Sequence, residues 1–163
     1  MEWLVDKYML EALKEAEKAR KLDEVPIGAI IVKNGEIISR GHNMREKCQN
    51  AIKHAEIIAI DKACKKLKSW RLNDCEIYVT LEPCPMCMGA IINSRMKKVI
   101  YGATDTEGGC CGGRYDIRVC CSHTVEVEGG VFENDCRKIL QDYFALKRKI
   151  KKGEKNADNS RSW

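Results

Sequence analysis

The chain has 163 residues, 44% hydrophobic and 33% charged, a composition typical of one soluble globular domain. No stretch approaches the ~18 consecutive apolar residues of a membrane span, and the first six residues lack the basic start and apolar core of a signal peptide. Ten cysteines in so long a chain favour reduced thiols in the cytosol over a disulfide scaffold.

Apolar residues at helical spacing predict an amphipathic first helix over residues 3–20. Val25-Pro26-Ile27-Gly28 ends it and opens a strand from Ala29 to Lys33. Asn34-Gly35 predicts a tight hairpin that returns the chain along a second strand, Glu36 to Gly41.

The middle of the chain alternates helices and strands around two chemically distinctive segments. Asn43 follows the second strand, and its amide could read a base edge, although an ordinary turn asparagine explains it equally well. A helix is predicted from His54 to Leu67, and a strand from Cys75 to Thr80. Pro83 ends that strand, and a further helix is predicted from Cys84 to Ser94.

The last third begins with a predicted strand, Lys98 to Ala103, followed by a glycine- and cysteine-rich loop from Thr104 to Cys121. Alternating valines between Val125 and Val131 predict a short edge strand. A final amphipathic helix is predicted from Phe132 to Lys152. Residues 153–163 turn polar, and we expect them to form a disordered tail.

This order of elements predicts one domain, residues 1–152, of α/β class: a three-layer α/β/α arrangement around a central mixed five-stranded sheet. Net charge is +5, and residues 147–152 hold five basic side chains in six, which favours an anionic partner such as nucleic acid. A solvated helix face would look the same. The apolar run with Ile91, Ile92 and Met96 suits either a dimer contact or the core.

Two segments carry the chemistry: His54-Ala55-Glu56, and Pro83-Cys84-Pro85-Met86-Cys87. His-x-Glu followed by Pro-Cys-x-x-Cys is the motif of zinc nucleobase deaminases. Two cysteines three apart on one helical turn point to the same side, and His54 supplies a third zinc ligand. Three protein ligands leave one tetrahedral position for water, which is typical of a catalytic zinc site.

Glu56 distinguishes this pattern from metal storage. It lies two residues after His54, so on a helix it projects about 200° away and is poorly placed to share the ion. Its carboxylate can carry a proton between the activated water and a ring nitrogen. Cys-x-x-Cys alone would also suit a structural zinc knuckle or a redox pair, and the added His-x-Glu makes both less favoured.

Several further segments extend the match well beyond the zinc motif, and together they resemble bacterial tRNA-specific adenosine deaminases of the cytidine deaminase-like superfamily. The resemblance covers the first helix through the last. It is carried by Glu24-Val25-Pro26-Ile27-Gly28-Ala29, Gly41-His42-Asn43, His54-Ala55-Glu56-Ile57, Tyr78 to Cys87, Ser94-Arg95 and Tyr101-Gly102-Ala103-Thr104-Asp105.

The resemblance implies conversion of adenosine to inosine at the wobble position of a tRNA anticodon by a zinc-containing homodimer. It implies that His54, Cys84 and Cys87 bind zinc and that Glu56 carries protons. Asn43 would hydrogen-bond the flipped base and Asp105 would lie near the adjoining nucleotide. The backbone around Pro83 would receive the exocyclic amine, and the basic last helix would lie near the RNA.

The loop over residues 108–123 departs from the family pattern. It is about two residues shorter than usual and has Ser122 where an asparagine is expected, which bears on RNA selectivity. Its two cysteine pairs could form a second metal site, although free thiols are the simpler expectation because adjacent cysteines rarely share one ion. The four thiols are Cys110, Cys111, Cys120 and Cys121.

Two other functions remain open at this stage. The same zinc motif serves deaminases of free nucleobases or nucleosides, with guanine, cytosine or adenosine as substrate. A catalytically silent RNA-binding subunit is the third possibility, and the intact Glu56 argues against it.

Overall fold

A computed structural model describes residues 2–159 of the chain, with side chains from residue 5 to residue 153. Four helices and five strands alternate along it in the predicted order, joined late in the chain by a short 3-10 helix, Ile117–Cys120. The helices are α1 Glu2–Lys21, α2 Ala55–Leu67, α3 Pro85–Asn93 and α4 Glu133–Asn159; the strands are β1 Gly28–Lys33, β2 Glu36–His42, β3 Cys75–Leu81, β4 Lys98–Ala103 and β5 Glu126–Glu128.

The five strands form one mixed sheet in the order β2-β1-β3-β4-β5. β1 pairs antiparallel with both β2 and β3, whereas β3-β4 and β4-β5 are parallel. The hairpin between β1 and β2 closes on Asn34 and Gly35, whose φ angles of 51° and 80° are the left-handed values that such a two-residue turn requires. The predicted three-layer α/β/α fold with a mixed five-stranded sheet is confirmed.

Each face of the sheet has its own apolar core, because successive strand residues point to opposite faces. Ile30 and Val32 of β1 pack towards α1 and α4, whereas Ala29 and Ile31 pack towards α2 and α3. β1 is therefore covered on both faces, which explains its nearly continuous apolar sequence.

Backbone contact fixes the start of α2 against β2. A Cβ atom on Gly41 would lie only 2.2 Å from the carbonyl oxygen of Ala55, so no larger residue fits there without a shift. The absence of a side chain lets the first turn of α2, which carries Glu56, rest directly on the strand. The fold thereby sets the height of that turn above the sheet.

Two expectations are corrected at the margins of the fold. α4 continues to Asn159, seven residues past the predicted end at Lys152, and no proline follows Gly153 to stop the helix. The remainder of the predicted disordered tail, residues 160–163, lies outside the described residues. The edge strand β5 is shorter than the predicted stretch.

The structure decides an alternative that the sequence left open for the apolar residues of α3 and the turn after it. Ile91, Ile92 and Met96 are buried in the core on the α2–α3 face of the sheet, so they are not a surface for a dimer. Among residues 2–159, no helix combines the length and apolar character needed to cross a membrane.

Candidate active site

Two helix N-termini bring the predicted metal ligands together. His54 directly precedes α2 and Cys84 directly precedes α3, and both have extended backbones (φ −74°, ψ 157° and φ −72°, ψ 170°). The sequence prediction placed both residues inside the first turn, whereas each is the cap before it. Pro85 at the first position of α3 explains this boundary, since proline preorganises the helix start and lacks an N–H to donate. Cys87 lies one turn into α3 and is fully buried.

The ligand atoms of the three residues form one compact group. Nδ1 of His54 lies 3.8 Å from Sγ of Cys84 and 3.6 Å from Sγ of Cys87. All three atoms lie within 4.8 Å of one another. A tetrahedral zinc with Zn–N near 2.1 Å and Zn–S near 2.3 Å separates nitrogen from sulfur by about 3.6 Å. The spacing and the nitrogen–sulfur donor set therefore fit zinc.

Hydrogen bonds within this group already favour a negative charge on one sulfur. The Cys87 thiol donates to Sγ of Cys84, and with His54 it lowers the pKa of Cys84 to about 4. The same bond raises the pKa of Cys87. The bond to Cys84 also raises the pKa of His54. A cation seated among the three atoms would replace the shared proton and favour both thiolates, since metal binding to cysteine releases protons.

Glu56 lies in the first turn of α2 beside this group but is not part of it. Its side chain is 4% exposed, and burial raises the pKa of the carboxyl group. The Cys84 sulfur raises it further, while His54 opposes the shift. A raised pKa lets the carboxyl hold a proton closer to neutral pH than an exposed glutamate can. The geometry therefore places a buried, readily protonated carboxyl group beside three side chains that could hold a metal ion.

The structure places Asn43 in the loop after β2, 6% exposed. Its Nδ2 donates to the carboxylate of Glu24 over 3.4 Å, and its Oδ1 is buried with no hydrogen-bond partner in the described part of the chain. The neighbouring Met44 N–H donates to the carbonyl of Lys53, which precedes His54. Asn43 therefore lies on a segment joined to the metal-binding segment, with one polar atom available for a ligand.

The side chain of Asp105 stabilises the turn in which it lies. Its Oδ1 accepts hydrogen bonds from the backbone N–H groups of Glu107 and Gly108, at 2.9 Å and 3.1 Å. The loop that follows β4 is thereby drawn into a tight bend. A contact between Asp105 and a substrate nucleotide stays a prediction.

Glu82 is an important residue that the sequence analysis missed. It lies directly before Pro83 and is 2% exposed. Its Oε1 accepts from the N–H groups of Cys111 and Gly113, each at 2.8 Å, and its Oε2 accepts from Asp105 N–H at 3.0 Å. One buried carboxylate thus ties the cysteine-rich loop to the strand end that carries Cys84.

The two cysteine pairs of the loop do not converge on a second metal site. Cys110 and Cys111 are buried, and the Cys111 thiol lies 3.5 Å from the sulfur of Met88, whereas Cys120 and Cys121 are exposed. Within residues 5–153 the only metal-binding group of three histidine, cysteine or acidic residues is the one at His54. All ten cysteines are free thiols.

Comparisons with known proteins agree with this geometry. Residues 4–148 match the family model of MafB19-like deaminases. A Bacillus subtilis (strain 168) protein called tRNA-specific adenosine deaminase is 52% identical over 147 residues, which cover 89% of this chain and 91% of the relative.

Two solved structures bear on the substrate. One, from a study of A-to-I editing by tRNA:A34 deaminases at the wobble position of transfer RNA, has a TM-score of 0.78 and 40% identity, covering 82% of this chain and 99% of that chain. A guanine deaminase from Bacillus subtilis is 41% identical with a TM-score of 0.59, covering 62% of this chain and 65% of that chain.

Proposed function

This chain belongs to the MafB19-like deaminase family, and on that premise we propose that it hydrolyses adenosine to inosine at the wobble position of a tRNA anticodon. The observation that carries the proposal is a compact histidine–cysteine–cysteine group with the buried Glu56 beside it and outside it. Relatives that are 52% and 48% identical over 89% of the chain are called tRNA-specific adenosine deaminases, which favours tRNA adenosine over a free base.

We infer that His54, Cys84 and Cys87 hold zinc. When bound, zinc supplies Lewis acidity that lowers the pKa of water at the site from ~15.7 to about 7. The two helix N-termini add favourable partial positive charge for the thiolates. Of the three residues, Cys87 is buried, whereas His54 and Cys84 are half-buried.

Glu56 carries the protons of the reaction. Its carboxylate takes one proton from water and gives it to N1 of adenine. It then takes the second proton from the hydroxyl now on C6 and delivers it to the departing amine, which leaves as ammonia. Overall, an oxygen from water replaces the 6-amino group on C6, and ammonia leaves. The raised pKa of Glu56 suits both halves of this cycle, because the group must accept and release protons near neutral pH.

RNA binding requires a flipped base and a basic surface. An unpaired anticodon loop is the least costly context in which to take a base out of its stack. Towards the end of the described part of α4, residues 148–152 present four basic side chains that are exposed to solvent: Arg148, Lys149, Lys151 and Lys152. We assign the RNA backbone to this face, Asn43 to the flipped base, and Asp105 to the adjoining nucleotide.

The protein is further proposed to act in the cytosol as a homodimer. Free thiols throughout the chain suit a reducing compartment, where tRNA is also available. The proposal of a dimer rests on the family resemblance alone. The apolar face of α3 does not support it, because those residues are buried in the core. Sedimentation equilibrium tests it directly, and a monomer at every concentration would refute it.

The decisive experiment offers purified protein a transcribed tRNA with adenosine at the wobble position, beside free guanine, cytosine and adenosine. Inosine in the tRNA and no ammonia from the free substrates is the expected result. Ammonia from a free base alone would refute the tRNA assignment.

Glu56→Gln is the matched variant for the mechanism. It should lose about 10²- to 10⁴-fold in kcat while keeping one zinc per chain, because the ligands are untouched. Full activity in this variant would remove Glu56 from the mechanism.

A further inference from the structure

We propose that Glu24 is a positioning residue: it turns the amide of Asn43 so that the carbonyl oxygen faces the substrate, and Asn43 therefore binds a hydrogen-bond donor of the target nucleotide. The inference rests on the proposed function for the identity of the substrate. The contact between the two side chains stands independently of it.

Glu24 is a buried carboxylate surrounded by N–H donors. It is 1% exposed. Its Oε1 accepts from Lys47 N–H at 2.6 Å, and its Oε2 accepts from Glu46 N–H at 3.2 Å and from Nδ2 of Asn43 at 3.4 Å. Two backbone groups thus fix the carboxylate, and the fixed carboxylate holds the asparagine.

The chemistry of the pair decides which end of the amide points outward. An asparagine amide has a donor end and an acceptor end of nearly equal size, and only its neighbours distinguish them. A carboxylate can only accept, so the NH₂ of Asn43 must face Glu24. The carbonyl oxygen, Oδ1, then lies at the opposite end, buried and without a hydrogen-bond partner among the described residues.

A buried carbonyl oxygen without a donor is costly unless a ligand completes it. Two backbone bonds hold Asn43 in place near the metal-binding segment. Its own N–H donates to the carbonyl of Ile27 at 3.0 Å, and the next residue, Met44, donates to Lys53 at 3.0 Å. The unsatisfied oxygen therefore belongs to a fixed loop, and rotation of the backbone cannot relieve it.

The identity of the free atom restricts what the substrate can present there. The ring nitrogens N1, N3 and N7 of adenine are acceptors and cannot bond to a carbonyl oxygen. The donors of a target adenosine within RNA are its 6-amino group and its ribose 2′-hydroxyl. Asn43 is thus assigned to one of these two groups.

The test removes or keeps the acceptor that faces Asn43. Glu24→Gln can leave its one oxygen between Glu46 N–H and the NH₂ of Asn43 and turn its own NH₂ against Lys47 N–H, so it should cost stability but keep the orientation of the asparagine. Glu24→Ala removes the acceptor, so the amide of Asn43 can turn and offer the substrate its NH₂. Glu24→Ala and Asn43→Ala should each lose about 10-fold to 100-fold in kcat/KM for tRNA, whereas Glu24→Gln should stay within about 10-fold of the wild type. Glu24→Ala combined with Asn43→Ala should lose no more than Asn43→Ala alone, because Glu24 acts through Asn43.

A merely structural role for Glu24 predicts the opposite pattern. The losses of the two single variants would then multiply in the double variant, and that result would overturn the positioning role. Tyr8→Phe is the control: it removes a hydrogen bond to the Gly35 carbonyl on the other face of the sheet, so it should lower the unfolding temperature and leave kcat/KM unchanged.

Two further measurements separate the possible outcomes. The first measurement compares kcat/KM for an RNA with 2′-deoxyadenosine at the target position with that for the normal RNA. If the 2′-hydroxyl is the donor to Asn43, this change should lower kcat/KM of the wild type but not of Asn43→Ala. If the 6-amino group is the donor, the change should affect both proteins equally. A wild type inert on tRNA would refute the proposed function. Thermal unfolding would still decide the contact, because the stability losses of Glu24→Ala and Asn43→Ala should be less than additive in the double variant if the two side chains interact.

Discussion

Replacing Glu82 by glutamine tests whether one buried carboxylate holds the cysteine-rich loop. The wild-type side chain accepts three backbone N–H bonds, two at 2.8 Å on one oxygen and one at 3.0 Å on the other. Glutamine keeps one oxygen, so its best rotamer retains Cys111 and Gly113 and turns its NH₂ against Asp105 N–H. One charge-assisted bond is lost and two are weakened to neutral ones.

The expected loss in the free energy of unfolding is about 3–5 kcal/mol, since bonds to a charged group contribute ~1.5–3 kcal/mol and neutral ones ~1 kcal/mol. That is a large share of the ~5–15 kcal/mol that a domain has in total. For a chain of this size it corresponds to a fall in Tm of roughly 10 °C.

Urea and thermal unfolding of both proteins measure this difference. Glu76→Gln is the matched control on β3, the strand that ends just before Glu82, because that half-exposed carboxylate accepts only from the Tyr78 hydroxyl in the described part of the chain, at 3.2 Å. The control should change stability by less than about 1 kcal/mol. A Glu82→Gln change no larger than the control would refute the role of the carboxylate in holding the loop.

Three further outcomes are expected. Gly113→Ala places a Cβ 2.0 Å from Oε2 of Glu82 and should destabilise the protein by about 2 kcal/mol or more. Gly89→Ala in α3 is its control, because a Cβ there meets open space and should stabilise the helix by about 1 kcal/mol. Urea unfolding curves of both variants measure these changes. Chelation of zinc, or His54→Ala, should abolish inosine formation while far-UV circular dichroism stays native, because His54, Cys84 and Cys87 belong to neither apolar core; loss of the helical signal would contradict this. Lys149→Ala with Lys151→Ala should reduce the salt dependence of tRNA binding by about one unit of slope per lysine, measured by filter binding, if α4 contacts the RNA backbone.

The sequence by itself indicated the cysteine pair of the candidate metal site and the strands of the sheet. Cys84 and Cys87 lie within one helical turn, and Asn34-Gly35 specifies its hairpin, so both features depend on neighbours along the chain. β-branched and apolar runs marked the strands for the same reason. These features can be predicted from sequence because the residues that interact are close together along the chain.

Only the tertiary structure decided the roles of Glu24 and Glu82. A glutamate before a short loop or a proline reads as a surface residue, yet both are buried. Most of their partners are backbone N–H groups 22 to 31 residues away. Nearly every residue has a backbone N–H, so the amino-acid sequence does not show which of these groups will meet the carboxylate. Which atom of Asn43 remains free, and how the loop thiols separate into buried and exposed pairs, also follow from chain segments meeting in space.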